Sequence, residues 1–165
     1  MIRRAFHVST KLCMSEAVAS VPLTQVNLNL TSPSSTIYEN TKVDLVIIPG
    51  LIGEYGVTAG HSPILAQMKP GVITVHLERD NNVEKYFTAG GFALTHENGT
   101  TDLACVEVVL LDQLDEKAAR DGLDSAKRTL ETTTDGTTEK VDATIAVETY
   151  MAMISAVETQ TTSSK

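Results

Sequence analysis

The hydrophobic period of this chain changes once, near Leu111, and that change limits what it can fold into. Ahead of it, apolar residues recur at every second position. In residues 25–30, Val26, Leu28 and Leu30 fall on one face and Gln25, Asn27 and Asn29 on the other, the signature of a strand with one side buried. Similar short runs follow: "STIYEN", "KVDLVII", "PILAQM", "VITVHLE", "VEKYFTA", "FALTH" and "TDLACVEVVLL". Turn formers punctuate them at Pro49-Gly50, Lys69-Pro70-Gly71, Asp80-Asn81-Asn82, Gly90-Gly91 and Asn98-Gly99. This pattern predicts about eight to ten strands over residues 21–111, arranged as an antiparallel sandwich or barrel.

Beyond Leu111 the period lengthens to that of a helix, and residues 112–160 read as a helical hairpin. Asp112 is placed to cap the first helix. Leu111, Leu114, Ala118, Leu123, Ala126 and Leu130 make its apolar stripe, with Gly122 marking a close approach or bend. A polar turn surrounds Asp135-Gly136. The second helix carries two stripes. Ala143, Val147, Tyr150, Ile154 and Val157 form a seam toward the first helix, while Val141, Ile145, Ala152 and Ala156 lie on another side. A two-helix hairpin has one mutual face, so the second stripe is expected to meet another surface, a further subunit slightly ahead of the alternative, the chain's own sandwich. Residues 161–165 are expected to form a disordered tail.

Charge narrows the function. A formal net charge of −8 with no Trp argues against a nucleic-acid partner, which calls for a Lys/Arg-rich face and stacking aromatics. No apolar run reaches the roughly 18–20 residues needed to span a bilayer, so no direct membrane insertion is expected. The charge is uneven, however. Residues 1–13, "MIRRAFHVSTKLC", hold Arg3, Arg4 and Lys11 and no acid, as a mitochondrial transit peptide does. The run from Arg4 to Ser9 matches the two-step processing pattern Arg-x-Phe-x-x-Ser, which places cleavage near residue 13, with an outer bound at about 20. Cys105 then has no disulfide partner and reads as a buried structural thiol. No metal set is expected from one thiol and scattered histidines.

The stretch "PGLIGEYGVTAGHSP", residues 49–63, is the place where chemistry could reside. Its glycines lack the Gly-Lys-Ser/Thr ending of a phosphate-binding loop and the Gly-x-Gly-x-x-Gly spacing of a dinucleotide site. Glu54 and His61 have no nucleophile, oxyanion donors or metal ligands beside them in the sequence, so no catalytic residue is expected. Glycines at intervals of three and four fit successive tight turns with positive φ, which display polar side chains for a partner.

Taken in order, "VIIPGLIGEYGVTAGHSPILAQMKPGVITV", "AGGFALTH" and the strand leading into a helical hairpin resemble the delta subunit family of mitochondrial ATP synthase, whose bacterial and chloroplast counterpart is epsilon. The resemblance covers about residues 21–158. It implies an all-β sandwich of ten strands followed by a C-terminal α-helical hairpin, in a non-catalytic central-stalk subunit without cofactor. It further implies binding to the gamma subunit and the c-subunit ring, on the matrix side of the mitochondrial inner membrane, and coupling of proton-driven rotation to ATP synthesis. Carried over by position, Glu54 and His61 are the implied c-ring contacts. Gly53, Gly56, Gly60 and Pro63 shape that edge. A small epsilon-type stalk subunit of the mitochondrial enzyme is the implied partner for Val141, Ile145, Ala152 and Ala156.

Two departures stand out. Ala59 replaces the family's proline before Gly-His, and Ala118 stands where ATP-binding bacterial members carry arginine, so no ATP site is expected on the hairpin. On the residues alone, the alternative is a free-standing β-sandwich protein-binding module with a helical dimerisation hairpin.

Overall fold

Two five-stranded sheets face each other, and their buried faces are the alternate positions legible in the strands. The computed structural model describes residues 24–78 and 81–163. The transit-type segment, Asp80 and residues 164–165 lie outside the described residues. The strands run β1 (Val26–Thr31), β2 (Thr36–Val43), β3 (Leu45–Pro49), β4 (Glu54–Thr58), β5 (Ile64–Met68), β6 (Gly71–Glu78), β7 (Asn82–Thr88), β8 (Gly91–Thr95), β9 (Thr100–Cys105) and β10 (Val108–Leu110). One sheet has the order β2-β1-β9-β8-β5, the other β10-β7-β6-β3-β4.

The pairings are antiparallel except one: β1 and β9 run parallel, with Asn29 opposite Asp102. That pairing joins strands far apart in sequence, so no hairpin signal could announce it. Between the sheets, Leu28, Leu30, Val46, Ile48, Ile73, Val75 and Leu103 are almost completely buried. Each such side chain contributes about 1.5–3 kcal/mol relative to exposure.

The sheets are also clasped by polar groups. Tyr38 on β2 and Glu84 and Tyr86 on β7 meet across the sandwich, with the two rings edge to face at 5.8 Å. The Tyr86 hydroxyl donates to Glu84 Oε2 at 2.7 Å, and the Tyr38 hydroxyl donates to the same oxygen. Burial, then the hydrogen bond to Glu84, pushes the Tyr38 phenol well above its ordinary value. The two phenols hold the Glu84 carboxyl below the usual carboxylate range, Tyr38 most strongly.

A 3₁₀ turn at Leu111–Gln113 leads into α1 (Glu116–Thr132) and α2 (Thr138–Ser163). The cap of α1 is Asp115, not Asp112: its carboxylate accepts from Lys117 N at 2.9 Å and Ala118 N at 3.2 Å. Asp112 lies inside the 3₁₀ turn, and Leu114 is extended behind it. The helical phase therefore starts later than expected, so Ala119 is buried and Ala118 exposed. At Gly122 the helices touch: a Cβ there would lie 2.6 Å from the Tyr150 ring. Arg120 binds Glu116 at 2.6 Å and Glu158 on α2 at 3.1 Å.

The far end of α2 also differs from expectation. It continues as helix through Ser163, where residues 161–165 were expected to be disordered. No Gly or Pro stops it, and Thr159 Oγ1 donates back to Ser155 O as helical threonines do.

The Tyr–Glu–Tyr clasp gives a signed expectation. Glu84's folded value lies below its ordinary 4.5, so its contribution is present above pH 4.5 and is lost as pH falls through the lowered value. Tyr38's contribution is present below its ordinary 10.0 and declines as pH rises beyond it. The urea midpoint of the wild type should exceed that of Glu84→Gln most at neutral pH, and the gap should close in acid. A gap that stays constant from neutral to strongly acid pH would rule out an ionised Glu84 as the shared acceptor.

Candidate functional site

The glycine-rich run lies along one lateral side of the sandwich, where β4 and β5 are the edge strands of the two sheets and the backbone of residues 49–51 pairs with residues 67–69 at the end of β5. The loop from Gly50 to Gly53 is closed by a hydrogen bond from Gly53 N to Gly50 O at 3.1 Å. A Cβ on Gly50 would come within 2.8 Å of the Gly53 carbonyl oxygen, so the loop packs against its own backbone there. Glu54 is exposed as the first residue of β4, paired with Pro49.

After β4 the chain reverses at Thr58–His61, with His61 N donating to Thr58 O at 3.1 Å. Gly60 has φ +78°, and Ala59 has negative φ, since Asn40 is the non-glycine residue with positive φ among those described. These are the marks of a type II turn, which favours proline at its second position and glycine at its third. Alanine can adopt the second-position geometry, so the turn closes without the family's proline. His61 is half-buried; its Nδ1 lies 2.8 Å from Ser62 O and its ring 6.4 Å from that of Tyr55.

The expectation of successive positive-φ turns is therefore corrected. Of Gly53, Gly56 and Gly60, only Gly60 has positive φ. Gly56 is not in a turn but inside β4, where a Cβ would press to 3.1 Å of Leu45 Cδ1 on the neighbouring strand. Gly53 ends the loop with open space around it. Pro63 is exposed and leads into β5. The glycine intervals of three and four had suggested successive turns, whereas Gly56 answers to strand packing and Gly53 closes the loop through its N–H.

Glu54 and His61 share an edge, and no hydrogen bond joins them among the described residues. Glu54 borders two concavities. One, of about 550 Å³, lies between the Gly50–Gly53 loop and β5, walled by Leu51, Ile52, Tyr55, Ile64 and Leu65. The Tyr55 hydroxyl is buried there and finds no hydrogen-bond partner among the described residues, and burial raises its pKa. The other, of about 410 Å³, lies between β3, β4 and α2, with Lys69 and Lys85 among its lining residues.

The alternation rule missed a large apolar surface. Ile52 is fully exposed, Leu51 and Leu65 are about two-thirds exposed, and Phe92 is more than half exposed. On β8 the small residues Ala93 and Thr95 point into the core while Phe92 and Leu94 point out. Bulkier residues thus occupy the outer face, an inversion visible in "FALTH" only once the direction of the pleat is known. Contiguous exposed apolar surface of this kind is typical of sites that dock a protein, a membrane or a ligand.

The second stripe of α2 divides in two. Ala156 is buried and Ala152 half-buried against Phe87, Leu111, Val72 and Val109 of the same chain. This corrects the expectation that these two face another subunit: the helix lies on the outer face of β6 and β7, where small side chains allow close contact. Val141 and Ile145, over half exposed, continue the stripe toward the N-terminal end of α2.

Comparison with known proteins fits this geometry. Residues 25–106 match the family described as ATP synthase, Delta/Epsilon chain, beta-sandwich domain. The chain is 38% identical over 135 residues to ATP synthase subunit delta', mitochondrial, of Ipomoea batatas, covering 82% of this chain and 66% of that protein. It is 35% identical to ATP synthase F(1) complex subunit delta, mitochondrial, of Dictyostelium discoideum, covering 90% and 85%. A chain in the cryo-EM structure of the Euglena gracilis mitochondrial ATP synthase, OSCP/F1/c-ring, superposes with a TM-score of 0.74 at 27% identity, covering 81% of this chain and 82% of that one.

The turn geometry yields a test. Ala59→Pro should raise stability by about 0.4–1 kcal/mol, because proline would restrict the unfolded chain at a φ the turn already uses. Equilibrium unfolding in urea checks this, and a lower midpoint would mean that the Ala59 amide or its φ is needed as it stands.

Proposed function

Because the chain belongs to the delta/epsilon family of ATP synthase subunits and is a non-catalytic central-stalk subunit of the mitochondrial enzyme, we propose that its surfaces divide rotor coupling between them. The turn edge bearing Glu54 and His61 rests on the c-subunit ring. The apolar outer face of the first sheet, with Phe92, Leu94 and Leu65, binds the gamma subunit. The N-terminal part of α2, with Val141 and Ile145, takes the small epsilon-type stalk subunit. Gripping both gamma and the ring, the subunit turns with them and helps to carry proton-driven torque toward ATP synthesis.

The observation that carries this reading is the position of the two surfaces. Glu54 and His61 sit at the β4–β5 edge beside the exposed Leu51 and Ile52, and a second exposed apolar set, Leu65, Phe92 and Leu94, sits on the outer face of the first sheet. A polar edge sets register against a ring with little affinity per contact, whereas an apolar face supplies the binding energy. No helix among the described residues is long and apolar enough to cross a membrane, which fits a peripheral subunit on the matrix side of the inner membrane. The sequence pattern of residues 1–13 supports import by a transit peptide.

The test replaces the endogenous subunit with Glu54→Lys and compares ATP synthesis in mitochondria with the urea midpoint of the purified chain. Synthesis should fall several-fold with the midpoint nearly unchanged. Normal synthesis would reduce Glu54 to an ordinary surface acid. Separately, Val141→Glu with Ile145→Glu should release a small stalk subunit from the purified complex while gamma is retained; full retention would remove this stripe as an interface.

A further inference from the structure

One polar chain on the outer face of the first sheet has no place in the fold's core or at the turn edge. Across β5, β8, β9 and β1 the register sets Leu65 beside Leu94, Leu94 beside Asp102, and Asp102 beside Asn29. Asp102 thus stands at the border of the exposed apolar patch, with its side chain 42% exposed.

Its carboxylate is held on both oxygens. Asn29 Nδ2 donates to Oδ1 at 2.6 Å, and His96 Nε2 lies 2.8 Å from Oδ2. Asn29 is fixed in turn, its Oδ1 accepting from Asn40 N at 2.5 Å. Asn40 adopts φ 47°, a left-handed conformation uncommon outside glycine and one that asparagine tolerates. Burial alone would raise the Asp102 pKa, but the hydrogen bonds from Asn29 and His96 bring it below its ordinary value. The group is therefore charged at neutral pH and locked in one rotamer.

A carboxylate accepts about four hydrogen bonds, two on each oxygen. Asn29 and His96 take one on each, which leaves one acceptor position per oxygen. Two parallel acceptors match the paired N–H donors of a guanidinium. A side chain already ordered before binding also loses little rotamer entropy on binding. Neighbouring Phe92 and Leu94 offer apolar surface to the aliphatic stem of the same side chain, as arginine at interfaces requires.

We propose that Asp102 is the charged anchor of the outer-face docking surface and receives an arginine of the stalk partner, whose apolar neighbours pack on Phe92, Leu94 and Leu65. This rests on the reading of that face as the gamma-binding surface and specifies the chemistry the partner must present. The occupant is a cationic, apolar-flanked segment, the complement of an acidic chain with net charge −8. Removing one partner of such a hydrogen-bonded charge pair slows neither folding nor encounter primarily; it shortens the life of the complex.

The test measures binding of the full chain to purified gamma–c-ring complex at low and high salt. Asp102→Asn should weaken affinity about tenfold or more, chiefly through faster dissociation. It should also flatten the salt dependence. Glu97→Gln, at a neighbouring exposed acid, should stay within about twofold. Phe92→Asp separates the two layers of the argument. If it leaves affinity intact, the outer face is not the gamma surface and the anchor falls with it. If it abolishes binding while Asp102→Asn has no effect, the face stands and the anchor alone is overturned.

His96→Ala guards against a folding artefact, since it loosens the carboxylate without removing the charge and should cost less affinity than Asp102→Asn. Equal losses from the two variants, with faster amide exchange in β1, would assign Asp102 to sheet integrity and overturn the proposal.

Discussion

Everything in the first sheet is registered on β1. The strand is zipped to β2, its neighbour in sequence, and to β9, which arrives after seven intervening strands and runs parallel to it. This long-range pairing forces Leu28, Leu30 and Leu103 onto the same inner face and closes the core over the second sheet. The same register lines up Asn29 with Asp102 on the outer face. The Tyr38–Glu84–Tyr86 clasp then ties the β2 side of one sheet to β7 of the other. Closure of a loop this long is entropically costly and is offset only when the whole inner face is buried.

Function follows from which sides of the sandwich that closure leaves open. The second sheet's outer face is occupied by α2, seated through Ala152 and Ala156 on Phe87 and Val72. The first sheet's outer face and the turns beside β4 and β5 stay uncovered among the described residues, and they differ in chemistry. The edge combines the polar side chains of Glu54 and His61 with the exposed Leu51 and Ile52 of its loop; the face is apolar with a fixed carboxylate at its border.

Much of this was legible in the residues. The period change near Leu111 marked the junction between sandwich and hairpin, and the motif around Glu54 and His61 marked the exposed edge. The physical reason is that both signals are local: a two-residue alternation and a turn former act over a few positions. Several misreadings were local too. Asp112 and Asp115 are both plausible caps three residues apart, and only the 3₁₀ turn at Leu111 selected the second, moving Ala118 outward. Gly56 belongs to the same glycine run as Gly60 yet sits inside a strand, because edge pairing with β3 overrides the turn pattern.

By itself the sequence determined the alternating inner faces, the sites of chain reversal, the helical hairpin and the identity of the side chains on the polar edge, since each depends on short-range sterics and on apolar periodicity. The tertiary structure decided which apolar residues find cover. Ala152 and Ala156 are covered by their own sandwich, whereas Phe92, Leu94, Val141 and Ile145 are not. It also decided that Asn29, His96 and Asp102 meet. Those outcomes depend on the parallel docking of β1 against β9 and of α2 against β6 and β7, contacts between residues far apart in the chain, which no local pattern encodes.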